Sequence, residues 1–284
     1  MKTQITPTLS VEFDPAEQET ADWIAGAARE ALPLIETQWG FPPPVDCRFF
    51  LMTDPVRFFF RSAPWTWKVL LAVGFPLWYG RAKRTWPFSA AWTQRYGQRT
   101  AIGMKPPRLW ETSDRAIGQM IYVEEKDTQR KVRHLTCHEL VHACSAQLVL
   151  PAWMNEGIAT LTVENFMQAP VFRPDTLDIV RDTQPKGPPS SYRQMARQSK
   201  EDIAYQAVRG YWLVRYLEET HPGFLARVIA ARREILAFDE KAAQELGMAP
   251  ERFWEEIDGV LVDYFANKIL PLRPGDTEKE NISE

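Results

Sequence analysis

Residues 134–166 read HLTCHELVHACSAQLVLPAWMNEGIATLTVENF. Inside this stretch, His138-Glu139-Leu140-Val141-His142 sets two histidines four residues apart with a carboxylate next to the first. On a helix, positions i and i+4 share a face, so both imidazoles can meet one metal ion while Glu139 projects beside them. For a chain with 4 His among 284 residues, the pattern arises by chance roughly 0.005 times. Two histidines do not complete a catalytic zinc site, which takes a third protein ligand and an open position for water. Leu150-Pro151 breaks the first helix, so the chain can double back and present Glu156 to the histidine pair.

Trp153-Met154-Asn155-Glu156-Gly157-Ile158-Ala159 resembles the W-L-N-E-G-F-A segment of gluzincins, the thermolysin and aminopeptidase-N class of zinc peptidases. The thirteen residues between His142 and Glu156 are similar to the spacing of the compact peptidase-MA-like branch. The likeness covers Ala116–Phe166 well, Ser10–Asp54 loosely and Ile203–Phe265 as a helical pattern. It implies an α+β metallopeptidase domain over 1–270, followed by a polar tail, 271–284. Two lobes are implied: a small mixed sheet in about 1–127 and helices in about 128–270, with the zinc cleft between them.

The same resemblance implies Zn2+ held by His138, His142 and Glu156, with Glu139 as the general base of peptide hydrolysis. It also implies an oxyanion donor from the C-terminal helices. Tyr205 matches that position, with Tyr192 and Tyr211 as competitors. A peptide substrate is expected to add to an edge strand over Ala116–Val123, through Gly118, Gln119 and Met120. The chain departs from the pattern at Thr160, where the thermolysin group has Asp, and it lacks the aminopeptidase G-x-M-E-N signature. His134, one turn before His138, is read as a cleft or supporting residue, and Cys137 and Cys144 as small buried hydrophobes. His221, before Pro222, reads as a helix cap.

Other segments give a coarser outline. Strands are expected at Leu9–Phe13, Val45–Met52 and Thr100–Met104. Helices are expected at Ala16–Trp39, Thr128–Leu150, Ala152–Phe166, Asp202–Glu219, Phe224–Leu236 and Pro250–Ile269, with a loop over Pro170–Ser191. The 11 Trp, 15 Phe and 8 Tyr exclude a disordered chain. Three cysteines exclude a disulfide framework. MKTQITPTLSVEFDP has no apolar signal core, so a cytoplasmic setting is expected, with peripheral membrane contact open.

The segment 55–110 holds ten of the 34 basic residues and none of the 37 acidic ones, and it is rich in Trp. Its twelve uncharged residues, Val69–Gly80, are too few to span a bilayer, which takes about 20. Four readings compete: packing in the core, docking on a membrane or protein, a lid over the site, and, least favoured, nucleic acid. Docking would use Trp65, Trp67, Arg81, Lys83 and Arg84. The alternative to a peptidase is a non-catalytic zinc-binding protein that docks through this segment. Glu139 favours the enzyme, since a scaffold has no use for a base beside the histidines.

Overall fold

The chain begins with an antiparallel hairpin, β1 (Lys2–Thr6) and β2 (Leu9–Glu12). Helix α1 (Gln18–Trp39) crosses over to β3 (Asp46–Leu51), which lies parallel to β2. Gly40 ends α1 in the left-handed region, φ 69°, and its N–H returns to the Glu36 carbonyl. Three helices follow: α2 (Pro55–Ser62), α3 (Trp65–Val73) and α4 (Phe75–Thr85). The chain then re-enters the sheet as β4 (Ala91–Tyr96) and β5 (Arg99–Met104), an antiparallel pair with β5 parallel to β3. The five-stranded mixed sheet has the order β1-β2-β3-β5-β4, so β4 is an outer strand. The structure is a computed structural model and describes residues 1–184, 187, 191–195, 197–231 and 238–269.

Both faces of the sheet are covered, and this explains the nearly continuous apolar run of β3. Cys47, Phe49 and Leu51 join the main core with α1 and the C-terminal helices, while Phe50 and Met52 join a second cluster with Phe58, Tyr96 and Ala101. Residues alternate between faces along a strand. On β4 the same rule sends Trp92 and Tyr96 to the second cluster and turns Thr93 towards the opposite face.

After β5 the chain is helical: α5 (Glu111–Ser113), a π turn (Asp114–Gly118) and α6 (Gln119–Ile121). This overturns the strand expected over Ala116–Val123. Ser113, Ile117 and Ile121 recur every four residues and face the core, which is a helical period. Only at Tyr122, just past α6, does the chain turn extended, in an isolated antiparallel bridge with Phe172. Gly118, Gln119 and Met120 therefore form no sheet edge.

Helix α7 (Thr128–Ser145) starts at Asp127, whose carboxylate caps the Arg130 N–H at 3.0 Å. It stops five residues short of the expected Leu150, because Ala146–Leu150 makes a turn with Val149 at φ 55°. Helix α8 (Ala152–Met167) then brings the chain back along α7. The expected loop over Pro170–Ser191 holds a helix, α9 (Thr176–Asp182), and α10 (Tyr192–Met195) follows it. The remaining helices are α11 (Lys200–Thr220), α12 (Phe224–Ala230), α13 (Phe238–Glu245) and α14 (Phe253–Ile269). Part of the helix expected over Phe224–Leu236 and all of the tail 271–284 lie outside the described residues.

Helices α8 and α11 meet at two glycines. A Cβ on Gly157 would stand 2.3 Å from the Gly210 carbonyl oxygen, and one on Gly210 would stand 2.4 Å from the Trp153 carbonyl oxygen. Only glycine permits that approach. Behind it, Arg209 donates through Nε to Asp258 Oδ1 and through Nη2 to the Trp254 carbonyl, both at 2.6 Å. Tyr205 donates to the other Asp258 oxygen, also at 2.6 Å. Removing one partner of a buried ion pair strands the other charge. Asp258→Ala should lose about 3–5 kcal/mol of stability, measured by urea unfolding, whereas Tyr205→Phe should lose about 1–3 kcal/mol. Equal stability of Asp258→Ala and wild type would show that the network is not structural.

Candidate metal centre

Helix α7 is buried on most of its circumference, against α1, α8 and β4. His138 and His142, one turn apart, direct their Nε2 atoms to the same point, 3.1 Å from each other. Glu156, in the second turn of α8, closes the group, with its Oε2 3.4 Å from His138 Nε2 and its Oε1 3.5 Å from His142 Nε2. Gly157 follows directly, so the contact that lets α8 close on α11 also fixes the backbone carrying Glu156.

Glu139, beside the triad, is 5% exposed and feels the charges of His142 and Glu156. Its Oε2 accepts a 2.7 Å hydrogen bond from Thr93 Oγ1 on β4, and its backbone carbonyl accepts from the same hydroxyl at 3.3 Å. Burial pushes the Glu139 carboxyl up to about 7, although His142 and Thr93 pull the other way. Glu156 is half-buried. There the attraction of His142 and His138, with the bond from Tyr192, overrides desolvation and holds the carboxyl down to about 2.

A relay of hydrogen bonds steadies Glu156. Ser145 Oγ donates to Asn155 Oδ1 at 2.9 Å, Asn155 Nδ2 donates to the Tyr192 oxygen at 2.9 Å, and Tyr192 donates to Glu156 Oε1 at 2.8 Å. Desolvation and the neighbouring carboxylate push the Tyr192 hydroxyl well above its ordinary range, which keeps it a donor. Tyr192, not Tyr205, is the C-terminal tyrosine at this site. Tyr205 is turned to Asp258 in the α11–α14 network, and Tyr211 donates to Glu164. His134 packs edge-on against Tyr122, ring centres 5.5 Å apart, and burial lowers it to about 3, so it stays neutral. Cys137 and Cys144 are buried free thiols in the main core, as their small apolar character implies.

His138, His142 and Glu156 could hold a metal ion, since their ligand atoms all lie within 4.8 Å of one another. Tetrahedral ligands at about 2.0–2.1 Å from zinc stand roughly 3.3 Å apart, and the three separations here are 3.1, 3.4 and 3.5 Å. The side chains need little movement to close on an ion. Two imidazoles and one carboxylate suit a first-row transition metal better than calcium or magnesium, which prefer all-oxygen sets. Both Nδ1 atoms are buried, and neither has a protein partner among the described residues. Thr160 leaves the departure from the thermolysin pattern uncompensated on the histidine side, and the supporting bonds fall on Glu156 instead.

Thr93 lies 46 residues from Glu139 in a segment without a clear period, and no spacing rule in the sequence points to it. Compared with family models and with curated proteins, the sequence matches none. Removing a bond to a metal-ligating carboxylate lowers metal affinity about 10–100-fold. Tyr192→Phe should therefore weaken zinc binding by that order in competition with a chelator, whereas Tyr205→Phe should leave it unchanged. Equal affinity in both variants would remove Tyr192 from the metal centre.

Proposed function

We propose that the protein is a zinc-dependent peptidase of gluzincin type, in which His138, His142 and Glu156 hold the ion and Glu139 is the general base. The observation that carries this reading is the division of labour among four buried and half-buried polar residues. Three converge on one point, and the fourth, adjacent in sequence to the first, accepts a hydrogen bond from Thr93 instead. A site that only stored or structured a metal would close with a fourth protein ligand. Here the fourth residue, Glu139, is engaged by Thr93 and lies outside the ligand group.

Zinc, when bound, supplies Lewis acidity: it polarises a carbonyl and lowers the pKa of a water towards about 7. Glu139 then takes the proton from the attacking water and hands it to the leaving amine. Thr93 restricts the carboxylate to one rotamer and leaves its second oxygen for the proton. Tyr192 orients Glu156 and is the hydroxyl nearest in role to an oxyanion donor. An extended peptide would add to the outer edge of β4, the last strand of the sheet, which carries Thr93 to Glu139. This edge takes the role expected of Gly118, Gln119 and Met120. The two-lobed arrangement implied by the resemblance belongs to the same proposal, with the sheet and the helices after α7 on either side of the ion.

The test separates binding from chemistry. Zinc-loaded wild type should cleave members of a random peptide library. Glu139→Gln should retain one zinc per chain and lose at least about 100-fold in rate, the scale of general-base catalysis. Cleavage at the wild-type rate by Glu139→Gln, or no cleavage by zinc-loaded wild type, would contradict the reading.

A further inference from the structure

Helices α3 and α4 form a hairpin bent at Gly74 on the sheet face opposite α7. Its inner side is packed: the indole N–H of Trp78 donates to the Leu71 carbonyl at 2.8 Å, Trp78 lies 5.0 Å from the Phe59 ring, and Trp67 meets Tyr96 edge-on at 5.6 Å. Its outer side is bare. Trp65, Val69 and Val73 recur every four residues along α3, and Leu77 continues the row on α4. Trp65, Val73 and Leu77 are 77%, 80% and 87% exposed. Side chains this exposed are knobs, because residues lining a groove are partly shielded by its walls.

The same segment carries cations, Arg57 on α2, Lys68 on α3, and Lys83 and Arg84 on α4. Among the described residues, Arg57, Lys68, Lys83 and Arg84 form no ion pair, and the whole 55–110 segment contains no acidic residue. Apolar knobs on a segment of unneutralised positive charge complement a surface that accepts apolar groups and is negatively charged.

We infer that the α3–α4 hairpin docks on an anionic lipid surface, inserting Trp65, Val69, Val73 and Leu77 to the depth of the headgroups while Lys68, Lys83 and Arg84 meet lipid phosphates. Insertion is shallow. The nine residues of α3 are about 14 Å long, against a hydrocarbon core of about 30 Å, and no helix among the described residues is long and apolar enough to cross a membrane. The mode is that of an interfacial helix, in which apolar burial and charge attraction act together. Because the hairpin sits behind the sheet, away from α7, docking leaves the metal centre untouched. The inference does not depend on the peptidase reading.

Co-sedimentation of the full chain with vesicles tests it. Wild type should pellet with vesicles of phosphatidylcholine and phosphatidylserine at low salt, less at physiological salt, and little with phosphatidylcholine alone. Lys83→Ser with Arg84→Ser should lower partition roughly 25-fold, the effect of two surface charges. Val73→Ser with Leu77→Ser should lower it at least about tenfold through lost apolar burial, with thermal stability and zinc content as in wild type. Failure of wild type to bind phosphatidylserine vesicles at low salt would overturn the inference. So would a loss of stability in Val73→Ser with Leu77→Ser, which would place those residues in a core. A wild-type dimer that this variant dissociates would give the row to a second copy of the chain, and would equally overturn it.

Discussion

Two imidazole nitrogens and a carboxylate, largely withdrawn from water with 3.1–3.5 Å between their facing atoms, set the terms for the rest of this molecule. Desolvating such groups is costly unless a cation or a proton stands between them. The neighbouring elements are arranged to hold that arrangement in place. Helix α7 is clamped between α1, α8 and β4, so its histidine face cannot rotate towards water. Helix α8 is pressed onto α11 through Gly157 and Gly210, which locks Glu156 one residue away. The Ser145–Asn155–Tyr192 relay then orients the carboxylate. Gly157 and Asn155 thus have structural reasons to flank Glu156: one lets a helix approach and the other holds a tyrosine.

The sheet divides the protein by face. On one side, α1 and the helices from α7 onward enclose the main core and the metal centre. On the other, α2, α3 and α4 cover a smaller aromatic cluster. Strand β4 belongs to both, since Trp92 packs under the hairpin, with Trp86 at 4.9 Å, while the next residue, Thr93, reaches Glu139. A basic, Trp-rich insertion could therefore be added on one face without disturbing the other. The second cluster also shows that part of the Trp-rich segment packs as a core while its outer row stays exposed.

The His138–His142–Glu156 group was legible because its geometry is local. A period of 3.6 residues dictates that His138 and His142 share a face, and Pro151 dictates that the chain reverses before Glu156. Among the described residues, helices α1, α7, α8, α11, α12 and α14 and strands β2, β3 and β5 follow from apolar periodicity, and their ends shift by a few residues where caps and turns decide. Three features were illegible for definite reasons. Thr93 reaches Glu139 from a strand 46 residues away, and no local pattern encodes that register. Ala116–Val123 is apolar enough for a strand, yet its four-residue spacing packs as a helix interrupted by a π turn. The choice between Tyr205 and Tyr192 turned on Asp258, which lies 53 residues beyond Tyr205 and claims its hydroxyl.

The central claim is the ligand set, and X-ray absorption at the zinc edge of the zinc-loaded protein reads it directly. The account predicts one zinc per chain with a first shell of nitrogen and oxygen at about 2.0–2.2 Å, including two imidazoles. A sulfur shell at about 2.3 Å, drawn from Cys137 or Cys144, would contradict it, as would a protein that takes up no zinc.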